Sequence, residues 1–348
     1  MNEENLDNKL DSADELFERF SLQVDKGQEA LRIDKFLANR IEGASRNKLQ
    51  QAMNLGMVQV NGTPVKANYK IKPLDQIVIY SDVSPEQTEV APEKMDLNIV
   101  YEDDELMVLN KPAGIVVHPG SGNYHGTLLN GVAWYLQQKN PTISEESLPR
   151  FGMVHRIDKN TSGLLVLAKT TLAMRQLAKQ FFDHTVTREY VALVWGDVEN
   201  DKGTIQAHVG RHQRFRKLFE AYPDGEHGKD AITHYEVLER FGYLTLIRCQ
   251  LETGRTHQIR VHMKYLGHPL FSDEFYGGDK IVKGTIYARY KQFVDNCFEI
   301  CPRQALHART LGFIHPTTEA ALHFECQIPS DLEEVIEKWR KYASHVPK

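Results

Sequence analysis

Only four cysteines occur in the 348 residues, Cys249, Cys297, Cys301 and Cys326, and none stands in a CxxC pair. That spacing argues against a disulfide framework and against a zinc site. Fifteen histidines are present, but no HExxH motif is, and His257 and His262 lie five apart, so no metal is expected. No apolar run approaches the roughly 18 to 20 residues a membrane span needs. A charged-then-apolar leader is also missing, which makes the cytoplasm the expected compartment. Positive charge is scarce overall: the net charge is -5, at first sight a poor match for nucleic acid. Residues 1–20, however, hold seven acids and two bases, which is the whole of that excess. The remaining chain is near neutral with clustered bases, and nucleic-acid affinity depends on local positive surface, not on the total.

Apolar and charged fractions of 41% and 26% are ordinary for a globular chain, and the length has room for two domains. Residues 1–28 read as an acidic flexible segment with few core-forming side chains. From Leu31 the pattern sharpens. Ile33, Phe36, Leu37 and Ile41 recur at helical spacing, and Ser45 is placed to cap a second helix burying Leu49, Ala52 and Met53. Gly56 is a helix stop, Val58 and Val60 alternate as in a strand, and Asn61-Gly62 is a hairpin turn. A further strand is expected over 71–80. Between positions 29 and 75 this module carries eight bases against four acids. Residues 81–96 are polar, contain two prolines and read as a linker.

Beyond it, from 97 to 348, apolar strands are expected near 97–100, 106–109, 164–168, 190–194 and 244–249, with a helix opening at Thr170 or Thr171. Helices do not alternate regularly with strands. The class is therefore α+β, a mixed, mainly antiparallel central sheet with flanking helices, not a doubly wound parallel sheet. Pro329-Ser330-Asp331 opens a last helix with an apolar face of Leu332, Val335, Ile336 and Trp339.

The chemistry-bearing stretch is His155-Arg156-Ile157-Asp158-Lys159-Asn160-Thr161-Ser162-Gly163-Leu164-Leu165. It crowds one acid between cations and runs directly into a strand. A carboxylate so placed can be held ionised and aimed at a ligand, as a nucleophile requires. A solvated turn with an incidental ion pair is the alternative on charge alone. A second notable stretch, Gly210-Arg211-His212-Gln213-Arg214-Phe215-Arg216-Lys217, packs four bases, an aromatic and a glycine into eight residues, a mixture suited to phosphate contact and base stacking.

The first of these stretches resembles the HRLDxxTSGLLL motif of the RluA-type pseudouridine synthases, with Ile157 in place of Leu. Three further blocks resemble that family in the same order: Asn110-Lys111-Pro112-Ala113-Gly114 with the following VVHP, Arg188-Glu189-Tyr190-Val191-Ala192, and Glu252-Thr253-Gly254-Arg255-Thr256-His257-Gln258-Ile259-Arg260. Residues 29–80 resemble an S4 domain, a small RNA-binding module.

The resemblance implies an isomerase that detaches a uracil in RNA from its ribose, turns it and rejoins it through C5, with no cofactor. It implies Asp158 as the nucleophilic carboxylate, Arg260 as its ion-pair partner with Arg255 as competitor, and Tyr190 as the ring stacking on the base. Ile259 and Leu165 are expected as apolar walls, and Lys111 and His118 as shaping the cleft floor. His155, Arg156, Arg211, Arg214, Arg216 and Lys217 are candidate RNA contacts, and Arg32, Arg46, Lys48 and Lys70 are candidate phosphate contacts in the S4-like module. The domain order and length resemble bacterial large-subunit synthases, which implies 23S rRNA or a precursor of the large subunit as partner; the oligomeric state is left open, with a monomer as the default. A catalytically silent RNA-binding or ribosome-assembly factor on the same scaffold is the rival. A hydrolase using Asp158 is another, but no matched acid partner is visible for it.

Overall fold

The computed structural model describes residues 17–41, 44–81, 90–120, 123–215 and 218–345. The chain divides into two compact units, Met1–Glu89 and Val90–Lys348. In the first, β1 (Phe17–Gln23) is followed by α1 (Ile33–Arg40), α2 (Arg46–Asn54), β2 (Val58–Val60), β3 (Thr63–Pro64) and β4 (Gln76–Ser81). The strands form an antiparallel sheet in the order β1-β4-β2-β3. Ile33, Phe36 and Leu37 from α1 and Leu49 and Met53 from α2 bury against Val58, Val60, Ile71 and Ile77. Ser45 Oγ accepts the Lys48 backbone N–H at 3.3 Å, which caps α2. Asn61 and Gly62 both have positive φ, 51° and 78°, matching a two-residue hairpin turn between β2 and β3.

Two sequence expectations change here. Residues 17–23, read as part of a flexible acidic segment, pair with β4 as β1, and Val24 beyond them is buried. The alternation of half-buried Phe20 and Leu22 with buried Val24 supplies an inward face that the surrounding charge concealed; residues 1–16 lie outside the described residues. The strand expected from 71 begins at Gln76, because Leu74 takes φ 70° and Asp75 closes a turn by accepting the Lys72 backbone N–H at 2.8 Å.

The second unit contains β5 (Ile99–Glu102), β6 (Leu106–Lys111), α3 (Leu128–Lys139), β7 (Ser162–Ala168), α4 (Thr171–Phe182), β8 (Thr187–Trp195), β9 (Lys202–Gln206), β10 (His208–Arg211), β11 (Phe219–Tyr222), β12 (Ile232–Arg240), β13 (Leu244–Leu251), α5 (Gln258–Tyr265), α6 (Ala288–Ile300), β14 (Leu306–Ile314), β15 (Ala321–Glu325) and α7 (Ser330–His345). Among the described residues, nine strands form one sheet in the order β5-β6-β7-β14-β8-β13-β12-β9, with β15 paired to β14. Only the β7 to β14 pairing is parallel. The strands β10 and β11 form a separate hairpin. Residues 90–96 were expected in the linker. Val90 is instead buried in the core, and Ala91 O accepts a 2.7 Å hydrogen bond from Asn130 Nδ2. Positions 82–89 lie outside the described residues.

The central strands are apolar at successive positions because both faces of the sheet are covered. On β8, Tyr190, Ala192 and Val194 join the core containing α3 residues Leu129 and Val132, whereas Val191, Leu193 and Trp195 join that containing α6 and α7. On β7, Leu165 and Leu167 face the first core, and Leu164 and Val166 pack with Ala173 and Leu177 of α4. This alternation fixes which side chains reach the first face, where the candidate site lies.

Candidate active site

Asp158 lies on the short loop entering β7, and that loop is tied down at each of the next three residues. Lys159 O accepts from Lys111 Nζ and from Gly114 N, both at 2.9 Å. Asn160 O accepts from Arg303 Nη1 at 3.0 Å, and Thr161 Oγ1 accepts from Gln304 Nε2 at 3.3 Å. Arg303 is itself gripped by Asp331 at the start of α7, through Nε at 2.7 Å and Nη2 at 3.0 Å. Two residues further, Gly163 has φ +117°, and a Cβ there would fall 2.1 Å from Ala308 O, so only glycine allows β7 to lie this close to β14.

Lys111 is 1% exposed and donates from Nζ also to Pro112 O at 2.7 Å and Ile115 O at 2.9 Å. Burial, with the Arg303 charge, pushes its ammonium down to about 7. The residue read as shaping the cleft floor thus holds the Asp158 loop from behind, on a second cavity it shares with Arg303 and Asp331.

Arg260 reaches the loop from the opposite side. It stands in the first turn of α5, a helix that starts after His257 in the left-handed region (φ 58°). The turn before α5 is pinned by Gln258, whose Oε1 accepts from Arg255 N at 2.9 Å and whose Nε2 donates to Ile232 O at 3.0 Å. Arg260 gives Nε and Nη2 to the two oxygens of buried Asp273, at 2.8 and 2.9 Å, and Nη1 to Asp158 Oδ2 at 3.0 Å. Its guanidinium also lies 4.9 Å from the Tyr276 ring centre and 5.6 Å from that of Phe275. Burial alone would weaken its charge, but Asp273 and Asp158 outweigh that and hold it above the ordinary arginine value. Arg255 turns elsewhere, with Nε donating to Asp230 O at 3.0 Å. The competition between the two arginines for Asp158 is resolved in favour of Arg260.

Asp158 and Arg260 open into a cavity of about 470 Å³, with Tyr190 on its wall. Tyr190 is 7% exposed, and burial raises its hydroxyl above the usual phenol value. Ile157, Leu251, Ile259 and Leu306 provide apolar wall. Leu165 does not line the cavity; it faces the same side of the sheet but is 1% exposed, within the core that also holds Tyr190 and Ile259. His257 Nε2 stands 3.9 Å from Asp158 Oδ2, and its Nδ1 shares a 2.7 Å hydrogen bond with Tyr276 OH. Burial pushes His257 below its ordinary value, despite the pull of Asp158, and pushes the Tyr276 hydroxyl up to about 12.

His155, read from the sequence as a candidate RNA contact, lines the cavity but is engaged within the protein. Its Nε2 accepts the Val166 backbone N–H at 3.0 Å and its ring stacks on Phe181 with centroids 4.4 Å apart. Burial, then the Arg188 charge, pushes it down to about 3, so the ring is neutral and offers no ionic contact. Arg156 is exposed at the cavity mouth. Arg211 ends β10 with its guanidinium over Phe219 at 5.4 Å, and the hairpin tip carries Arg214 and an exposed Phe215, whose backbone N–H groups both donate to His212 Nδ1. Arg216 and Lys217 lie outside the described residues. In the first unit, Arg32 and Arg46 both grip buried Asp34, while Lys48 and Lys70 are exposed. His118 makes a 2.6 Å contact from Nδ1 to Pro119 O and does not line the cavity.

Asp273, Tyr276, Phe181 and the partnering role of His257 were not read from the sequence. His257 lay inside a motif block already singled out. Asp273 follows Arg260 by thirteen residues with no motif joining them, and an acid set among Phe271, Phe275 and Tyr276 was its only signal. Among the described residues no group of three or more His, Cys, Asp or Glu side chains is placed to hold a metal.

Residues 105–265 match the family model described as RNA pseudouridylate synthase, and residues 31–77 match that of the S4 domain. The chain is 44% identical, over 92% of its length and 97% of the other, to a Chlorobaculum parvum protein named as an uncharacterized RNA pseudouridine synthase. It is 41% identical to the ribosomal large subunit pseudouridine synthase D of Nitrosomonas europaea, over 92% of this chain and 87% of that one. A solved human structure, RNA pseudouridylate synthase domain containing 4, shares the fold with a TM-score of 0.55 at 21% identity, over 70% of this chain and 93% of that one.

Proposed function

The chain belongs to the RNA pseudouridine synthase family, and we propose that it isomerises specific uridines of 23S rRNA, in the cytoplasm, with Asp158 as the carboxylate that starts the reaction. The observation that carries this reading is the ion pair of Asp158 with Arg260 at the opening of a cavity walled by Tyr190.

In this reading a target uridine leaves its stack and enters the cavity. Asp158, ionised and aimed by Arg260 Nη1, acts at the ribose as the bond from N1 to C1′ breaks. The free uracil turns against the Tyr190 ring and C5 bonds to C1′ as Asp158 is released; a base takes the C5 proton and passes it to solvent, while N1 takes up a proton, so the product is an isomer of the substrate. Nothing is oxidised and no group is gained. The apolar walls exclude water that would otherwise intercept the sugar, and they strengthen the field of Arg260 on the carboxylate. The S4 unit and the basic β10–β11 hairpin supply phosphate affinity. Relatives named for the ribosomal large subunit, together with the S4 module, support the rRNA assignment.

Tritium release from 5-tritiated uridine in 23S rRNA transcripts, with wild type and Asp158→Asn compared, tests the reading. Release by wild type, lowered by about 10⁴-fold or more in the variant with RNA binding retained, is the expected result. Release by the variant at a comparable rate removes Asp158 from its role. Release from tRNA but not from rRNA or ribosomal particles overturns the substrate.

A further inference from the structure

Arg188 stands two residues before Tyr190 on β8, and strand alternation turns both side chains to the same face. It lines the Asp158 cavity and is 8% exposed. Its Nε is fully enclosed and, among the described residues, has no hydrogen-bond partner. The guanidinium lies over the Phe181 ring at 5.4 Å and forms no ion pair with any described carboxylate. Gly254 makes room for it, since a Cβ there would fall 2.8 Å from Nη1.

An unpaired cation held this deep costs several kcal/mol unless an anion meets it. Neighbouring groups do not meet that need: Asp158 is engaged by Arg260, and the other lining cations, Arg156 and Arg255, add to the positive field. Of the parts of an RNA strand, uracil and ribose are neutral and only the phosphodiester is anionic. Two residues along a strand span about 6.6 Å, a separation on the scale of that between a nucleoside and its own flanking phosphates.

We propose that Arg188 binds the backbone phosphate adjoining the target uridine, clamping the extruded nucleotide with its base against Tyr190 and its ribose at Asp158. The inference rests on the isomerase reading above. A guanidinium fork matches two phosphate oxygens, and with Nε enclosed it is the terminal Nη groups that meet the phosphate.

A mutant cycle tests it. Hairpin RNAs carrying a uridine mapped as a wild-type target are made with a neutral methylphosphonate at the 5′ or the 3′ phosphate of that uridine. Wild type, Arg188→Met and Arg188→Lys are compared for kcat/KM and Kd, with thermal midpoints measured alongside. At one of the two positions the methylphosphonate should cost wild type about 30-fold in kcat/KM and cost Arg188→Met less than about 3-fold, as a lost charged hydrogen bond predicts. Arg188→Lys, which folds around the same charge without the fork, should fall between. Equal losses in wild type and both variants at both positions overturn the phosphate assignment while leaving isomerisation intact. Absence of tritium release by wild type on every RNA defeats the isomerase reading itself, and this inference with it.

Discussion

Arg260 is bound to Asp273 by two hydrogen bonds and to Asp158 by one, so its direction is set on the side away from the cavity. Asp273 is 0% exposed and also accepts the Phe275 backbone N–H at 3.1 Å. The pair forms a rigid mount, and the single remaining Nη1 is aimed at the carboxylate proposed to react.

That mount makes Asp273 a positioning residue. Asp273→Asn keeps the size but replaces one acceptor oxygen with a donor, and Arg260 should swing by a fraction of an ångström. We expect kcat to fall on the order of a hundredfold with Kd for RNA changed little. Comparable kcat in wild type and Asp273→Asn, measured in single-turnover tritium release, would show that Arg260 needs no such mount.

Lys111 provides a pH signature. Its ammonium faces three carbonyls, which favour the charge, yet burial and Arg303 push it down to about 7 from an ordinary 10.5. Between those values the unfolded chain binds more protons than the folded one. Stability should therefore rise with pH across that window, by up to about 1.4 kcal/mol per unit, and be lost as pH falls toward 7. Lys111→Met should flatten this slope in chemical denaturation of the full chain between pH 7 and 10. An unchanged slope would mean the lysine stays charged throughout.

Asp34 has the opposite sign. Arg32 first, then Arg46 and Gln50, hold its carboxyl well below the usual range against the opposing effect of burial. Its stabilising effect is present above the ordinary value of 3.8 and is lost as pH falls through the lowered one. Asp34→Asn leaves two half-exposed arginines facing an amide and should destabilise the first unit by about 1 to 2 kcal/mol. Hydrogen exchange of amides 33–37 in the full chain reads this directly; protection equal to wild type at pH 7 would count against it.

Much of this architecture was legible because the sheet is buried on both faces. Runs such as GLLVLA and YVALVW can only be central strands, and Ser45, Asn61-Gly62 and Ser330 mark element ends by local chemistry. The meeting of Asp158 with an arginine was legible from motif order, but the choice between Arg255 and Arg260 was not. It depends on where α5 begins, and that is set by a left-handed His257 and a network centred on Gln258. Leu165 was read as wall because it is apolar and near the motif; it faces the same side of the sheet as Tyr190 but is buried within the core there. His155 was read as an RNA contact because it stands beside Asp158, whereas the Val166 N–H makes its Nε2 an acceptor. Asp273 was missed because no sequence period connects a helix residue to a loop thirteen positions later.

The first unit separates lysines from arginines in a way that the sequence did not. Arg32 and Arg46 are spent on Asp34, so replacing either one removes a structural partner along with a positive charge. Lys48 and Lys70 are exposed, and Lys70 sits across an antiparallel bridge from Arg32, beside the same ion cluster. Lys48→Ala with Lys70→Ala should therefore leave the thermal midpoint near that of wild type while weakening RNA binding. Each lost phosphate contact reduces the slope of log K against log salt by about 0.7 to 0.9, so the pair should lower it by roughly 1.5. Arg32→Ala should do the reverse, lowering the midpoint of the first unit more than it changes the slope. Filter binding of 23S rRNA fragments from 50 to 300 mM KCl gives the slopes. An unchanged slope in the double-lysine variant would move the RNA contact surface off this face, whereas a lowered slope with intact stability assigns it to the lysines.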